Sequence, residues 1–446
     1  MEPSTPGLKP AALAAFVAPC LPLAAVGLPL VVQLPAFYVR HVGLPLATVG
    51  LVFMLIRLAD IALDPFLGGL MDRTRTRFGR FRPWLLAGAP LVMLATVMMF
   101  WAKPGSGPGY LALWLIVMAA GFSICTLAQT AWAARLSRDY DQRSRIYGWW
   151  QGANMVGMLL ILLLPAIVSM RVKDDGAAGV AAMGWAIWAM VPLAFGLAVW
   201  KAPEPPPAPG EPVSWRHAPA LLRRPAVIRL LLADLAFGMA PGVNGALFLF
   251  FFRQAKGYEE GPANLMLLTY FVFGLIGAPL WSRLAEKTDK HRALAYSALY
   301  MAVTHVAVLL LPPLPFLAVL PGMAAVGLAY GAGPILLRSM VADATDELRA
   351  ETGREGAGLL YSLFVSTSKV GYALSVGVAF QALALVGFQA AEGAANTPGA
   401  LMGLTLVYIA GVSGFCLLGA ALVWRYPLDR ARHAAILLVL AKADAP

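Results

Sequence analysis

The segment Leu46 to Met71, LATVGLVFMLIRLADIALDPFLGGLM, decides how this chain is read. Its apolar run is long enough to cross the hydrocarbon core of a bilayer, which takes about 20 residues. Arg57, Asp60 and Asp64 interrupt it at i, i+3 and i+7, so all three side chains share one helical face. Each such charge costs at least about 2.5 to 3.5 kcal/mol at the bilayer centre. A stripe of three persists only if it faces a polar interior, pairs internally or holds a cation. Two carboxylates one turn apart can offer oxygens to one Na⁺, or share one proton, because like charges raise each other's affinity for it. The bland alternative is that Arg57 neutralises Asp60 while Asp64, beside Pro65, caps the helix end.

Outward from this segment the same apolar character continues. Of 446 residues, 60% are hydrophobic and 13% charged, with a mean hydropathy of +0.72, well above a soluble domain. Breakers divide the chain into twelve runs, at 12–39, 46–71, 84–103, 109–134, 146–170 and 181–200, then 226–252, 262–284, 292–311, 315–340, 356–386 and 399–425. The first is too long for a signal-peptide core and is read as a retained helix. The expected architecture is an all-α membrane protein of twelve transmembrane helices. Between the sixth and seventh runs, Pro203-Glu204-Pro205-Pro206-Pro207-Ala208-Pro209-Gly210 cannot be helical. The chain is thus expected to comprise an N-terminal six-helix bundle (1–200), a cytoplasmic linker (201–225), a C-terminal six-helix bundle (226–425) and a cytoplasmic tail (426–446). The basic loops after the second and eighth runs, Asp72 to Arg82 and Arg283 to Arg292, resemble each other, as a repeat of two six-helix halves requires.

Most of the 34 Lys and Arg fall on the loops that share a side with both termini. The positive-inside rule then puts both termini in the cytoplasm and the protein in the inner membrane. The same scattered loop charge accounts for the net charge of +11 without nucleic acid as a partner. Cys20, Cys125 and Cys416 lie in apolar runs with neither disulfide nor zinc spacing. The sequence lacks a G-x-x-x-x-G-K-[ST] phosphate loop, an H-E-x-x-H zinc pair and a G-x-S-x-G nucleophile elbow. An enzyme is therefore not indicated, and no cofactor is expected. What remains is transport driven by an ion gradient, or a non-transporting sensor or scaffold of the same shape; the absence of long soluble output domains weighs against the second.

The set Asp60-x-x-x-Asp64-Pro65, Gly68-x-x-x-Asp72 and Arg77-Phe78-Gly79-Arg80-Phe81-Arg82-Pro83-Trp84 resembles the glycoside-pentoside-hexuronide cation symporters, the melibiose-permease branch of the major facilitator superfamily. The likeness continues at Leu136 to Arg145, at Met340-Val341-Ala342-Asp343 and at Ser368-Lys369-Val370-Gly371. It implies the major facilitator fold of two pseudo-symmetric bundles and symport by alternating access. It also implies a cation site at Asp60 and Asp64, with a hydroxyl from Ser123 or the neighbouring Thr126. These carboxylates would be metal ligands only if the coupling ion is Na⁺. The resemblance further makes Lys369 the link between cation and substrate, while Arg57, from its place on the charged stripe, is a charge balancer or a second coupling residue. A lone ammonium in mid-span needs a carboxylate partner, which agrees.

The sequence departs from the family pattern where Leu63 replaces an asparagine, which weakens Na⁺ relative to H⁺. Ala24, Thr126 and Gln151 stand where melibiose-type members carry charged sugar contacts. The substrate is therefore either a glycoside or other sugar-like solute or, because the resemblance extends to lysophospholipid symporters, an amphiphile. Candidate substrate residues are Gln33, Gln129, Trp132, Gln151 and Asn154 in the first half, and Asn244 and Tyr361 in the second. Asp234 is either a second buried acid or an end residue paired to Arg229, and His305 is read as a hydrogen-bonded bundle residue. Asp72, Arg73, Arg75 and Arg77, with Asp139, Asp141 and Arg143, either pair across helices in one state or are solvated. Expected partners are a small organic solute, a coupling cation and membrane lipid, around a monomer.

Overall fold

The computed structural model describes residues 9–74, 76–136, 140–171, 177–203, 221–352, 357–391 and 394–443. Two compact units emerge, Met1–Pro212 with Ala390–Gly393, and Val213–Gln389 with Ala394–Pro446. Twelve helices among the described residues are long and apolar enough to cross a membrane.

The first unit contains α1 (Pro10–Val17), α2 (Cys20–Gly27), α3 (Gln33–Arg40), α4 (Leu46–Arg73), α5 (Arg82–Phe100), α6 (Pro108–Arg135), α7 (Tyr140–Arg171) and α8 (Ala177–Lys201). α6 packs against both α4 and α5, and α2 lies on α7. The run expected as one helix over 12–39 is instead three short helices. Proline dictates the breaks, since it lacks the amide hydrogen an interior position must donate. Pro19 precedes α2 and Pro29 lies in the turn before α3, while Pro22 and Pro35 occupy first turns, where no intrahelical donor is needed.

The basic loop after α4 is an anchor. Arg80 is buried, and its Nε donates to the Met71 carbonyl at 3.1 Å, satisfying one of the orphan acceptors at the end of α4. Arg82 donates to the carbonyl of Ala202 at 2.8 Å, and the Trp84 indole donates to Thr74 Oγ1 at 3.0 Å. The expected pairings of Asp72, Arg73, Arg75, Asp139, Asp141 and Arg143 fall on side chains outside those described.

The second unit contains α9 (Pro225–Phe250), extended by a π turn over Phe251–Ala255, then α10 (Glu260–Lys287), α11 (Lys290–Leu310), α12 (Phe316–Tyr330), α13 (Ala332–Thr352), α14 (Ala357–Leu385), α15 (Pro398–Trp424) and α16 (Arg430–Ala443). α9 packs on α14 and α15, α10 on α12, and α11 on α15. The tenth run was expected to end at 340, yet α13 continues through Asp343, Glu347 and Arg349. Apolar content marks where a helix leaves lipid, not where it stops. These residues are adequate helix formers, and ion pairs hold the extension: Lys290 Nζ lies 2.7 Å from Asp343 Oδ1. The segment read only as a tail forms α16, which docks on α13 through Arg432 and Glu347 at 2.6 Å and His433 and Asp346 at 3.0 Å. Cys20, Cys125 and Cys416 are unbridged and buried.

Candidate functional site

In the first unit the charged stripe of α4 meets α6. α6 is held close to α5 by Gly121, where a Cβ would lie 2.9 Å from that of Leu91 and 3.0 Å from the Val92 nitrogen. That close approach fixes which face of α6 turns towards α4. Asp60 is 6% exposed and Ser123 1%, and the Ser123 hydroxyl donates to Asp60 Oδ1 at 2.8 Å. Arg57 interacts electrostatically with Asp60. Asp64, one turn further along α4, is half-buried. Thr126, the alternative hydroxyl, donates to the Phe122 carbonyl of its own helix at 2.7 Å instead. Chemically this is a buried carboxylate with a neutral oxygen donor beside it and a second carboxylate a turn away. Such a group can take up a proton or contribute oxygens to a small cation. Among the described residues no cluster of three or more His, Cys, Asp or Glu side chains suits a resident metal.

The expected solute residues are placed less uniformly. Gln33 is buried at the start of α3, and Gln151 is half-buried on α7. Gln129 is buried, and its Nε2 donates to the Phe16 carbonyl at 2.5 Å, so it fastens α6 to α1. Asn154 donates to the Trp150 carbonyl at 2.8 Å within α7. Trp132 corrects the reading that it lines a cavity. It is fully buried, stacked 6.1 Å from Phe81 and edge-on to Phe16, with its indole donating to the Pro203 carbonyl at 3.0 Å. An aromatic ring in an apolar run looks the same in sequence whether it faces a cavity or a neighbouring helix.

In the second unit Asn244 is likewise interior. It is 4% exposed and accepts from the Tyr408 hydroxyl at 2.6 Å, while Tyr408 sits edge-on to His305 at 4.8 Å. His305 in turn faces Ser413 Oγ at 3.3 Å, as its reading as a hydrogen-bonded bundle residue requires. Lys369 is half-buried on α14. Tyr361 lies on the same helix, with its side chain outside those described. Asp234 is a buried acid: 4% exposed, it accepts from Ser368 Oγ at 2.8 Å, and Arg229 instead donates to the Arg425 carbonyl at 2.9 Å. Ser368 was not singled out from the sequence, although its position beside Lys369 in a quoted motif was the available signal.

The fold has close counterparts. It is similar to the crystal structure of a D-xylose-proton symporter, with a TM-score of 0.68 at 15% identity, covering 94% of this chain and 98% of that one. In sequence it is similar to the glucuronide carrier protein homolog of Escherichia coli (strain K12), 23% identical over 88% of this chain and 87% of that protein. The inner membrane symporter YicJ of the same organism is 24% identical over 87% of this chain and 85% of its own length. The family model described as MFS/sugar transport protein matches residues 15–430, and the chain belongs to that family, among the glycoside-pentoside-hexuronide symporters of the major facilitator superfamily. It is therefore a multi-pass membrane protein and a secondary transporter of a small solute, not an enzyme.

Proposed function

We propose that the protein is a cation-coupled symporter of a glycoside or other sugar-like solute. Asp60 and Asp64 bind the cation with Ser123, and Lys369 carries the coupling to the solute. The observation that supports this most directly is the buried Asp60 carboxylate receiving the Ser123 hydroxyl at 2.8 Å on the face that also carries Arg57 and Asp64. With Leu63 offering no oxygen, H⁺ suits the site at least as well as Na⁺. Both termini are cytoplasmic on this reading, and transport proceeds by alternating access. The names of the glucuronide carrier homolog and the symporter among its relatives lend support.

One observation favours an amphiphile as the second reading. Gln129, Asn154, Trp132 and Asn244, expected to greet sugar hydroxyls, all have hydrogen bonds within their own units. A ligand-stabilisation screen of purified protein with sugars, lysolipids and Na⁺ separates the two, since a ligand that binds only the folded state raises its melting temperature. The hit then serves in accumulation assays. Asp60→Asn and Asp64→Asn are expected to fold and to lose gradient-driven accumulation; wild-type accumulation by both would remove the cation-site assignment.

A further inference from the structure

The second unit holds a carboxylate that the proposed site at Asp60 and Asp64 does not use. Asp234 sits on α9 beside a close contact of that helix with α14. Small residues allow the approach: a Cβ at Gly371 would lie 2.9 Å from the Leu235 carbonyl oxygen, and one at Gly238 would lie 3.4 Å from that of Ser368. This contact delivers the Ser368 hydroxyl to Asp234 Oδ2 at 2.8 Å. The arrangement repeats, on different helices, that of Ser123 and Asp60, also at 2.8 Å.

The surroundings decide what the carboxylate can hold. From α13, Arg338 acts on it electrostatically, but no ion pair to Asp234 forms among the described residues. From α14, Tyr372 feels the charge of Asp234, and Lys369 is the next residue after Ser368. α10 brings Tyr270, whose ring lies 5.5 Å from that of Tyr330. α15 brings Tyr408, whose hydroxyl is engaged with Asn244, and on α9 itself Arg229 is turned to the Arg425 carbonyl. A single serine hydroxyl is thus the direct partner of an acid that is 4% exposed. Keeping it charged without a partner costs several kcal/mol. A metal ion would need about six oxygens, whereas a proton needs only the carboxylate itself.

We propose that Asp234 is a proton-binding site of this transporter, in the second unit, which exchanges a proton with solvent through the pair it forms with Ser368. This inference goes beyond the cation site at Asp60 and Asp64 and does not depend on it. The test is infrared difference spectroscopy of the full chain reconstituted in lipid and stepped between acid and alkaline buffer. A carboxyl that gains a proton adds a carbonyl band and loses carboxylate bands. Asp234→Asn is expected to remove one carbonyl component, and Ser368→Ala to keep it at a displaced frequency. Asp60→Asn should remove a different component, so that failure at one site is read apart from failure at the other. Asp234→Glu, which preserves the acid, should displace the component, and melting temperatures identify the folded variants. A spectrum of Asp234→Asn identical to wild type at every pH, or an undisplaced spectrum of Asp234→Glu, overturns the proposal.

Discussion

Ser123 and Thr126 lie nearly one turn apart on α6, yet only the first sends its hydroxyl to another helix. Sequence spacing alone leaves both possible, because a hydroxyl in a helix can always fall back on a carbonyl of its own preceding turn. The difference is testable. A hydrogen bond to a charged group contributes about 1.5 to 3 kcal/mol, and this one stabilises the cation-free carboxylate, so Ser123→Ala is expected to shift apparent cation affinity roughly tenfold or more, towards tighter binding of H⁺. Thr126→Ala, by contrast, leaves it within about twofold. Uptake measured against cation concentration checks both, and equal affinities in the two variants would dissociate Ser123 from the site. The stripe Arg57, Asp60 and Asp64 was legible from the sequence because charge in an apolar run is anomalous on its own. Trp132 and Asn244 were not, since what each side chain meets is fixed by neighbours from distant parts of the chain.

At the scale of elements, the contact between α9 and α14 depends on the absence of side chains. Gly371→Ala would push a methyl carbon to 2.9 Å from the Leu235 carbonyl oxygen, closer than backbone tolerates. A loss of about 1 to 3 kcal/mol follows, of the size seen for overpacking, and it is read as a lowered melting temperature. Gly152→Ala on α7, where nothing lies within 4 Å of the added carbon, is the control. There the helix gains about 0.5 to 1 kcal/mol from the lost freedom of glycine, so its melting temperature holds or rises. A Gly371→Ala protein as stable as wild type would show that the helices part without cost. Hydropathy placed the helices because burial in lipid needs an unbroken apolar run. It missed the proline-segmented start over α1 to α3, where the run stays apolar although the backbone cannot stay helical. It also missed the continuation of α13 beyond 340 and the whole of α16, where polar helical segments are secured by ion pairs to residues far along the chain.

At the scale of the whole molecule, symport requires that cation and solute feel each other, and such coupling is reciprocal. On the proposed reading Lys369 carries it. Lys369→Ala is therefore expected to leave some cation affinity while abolishing its response to solute, measured by titrating each ligand with and without the other. Full reciprocal coupling in the variant would shift attention to Arg57. The driving ion has its own test: with Leu63 offering no oxygen, an imposed pH gradient in Na⁺-free buffer should drive uptake at least as well as a Na⁺ gradient. No uptake until Na⁺ is added would reverse that assignment. The burial of all three cysteines has a practical consequence. Water-borne maleimides should find almost nothing to alkylate on the native chain, so no cysteine-free background is required. A single thiol introduced at Leu438 on the docked α16, a position 66% exposed, becomes the dominant attachment point for a fluorophore or spin label, and its emission or line shape then reports on that unit as the transporter cycles.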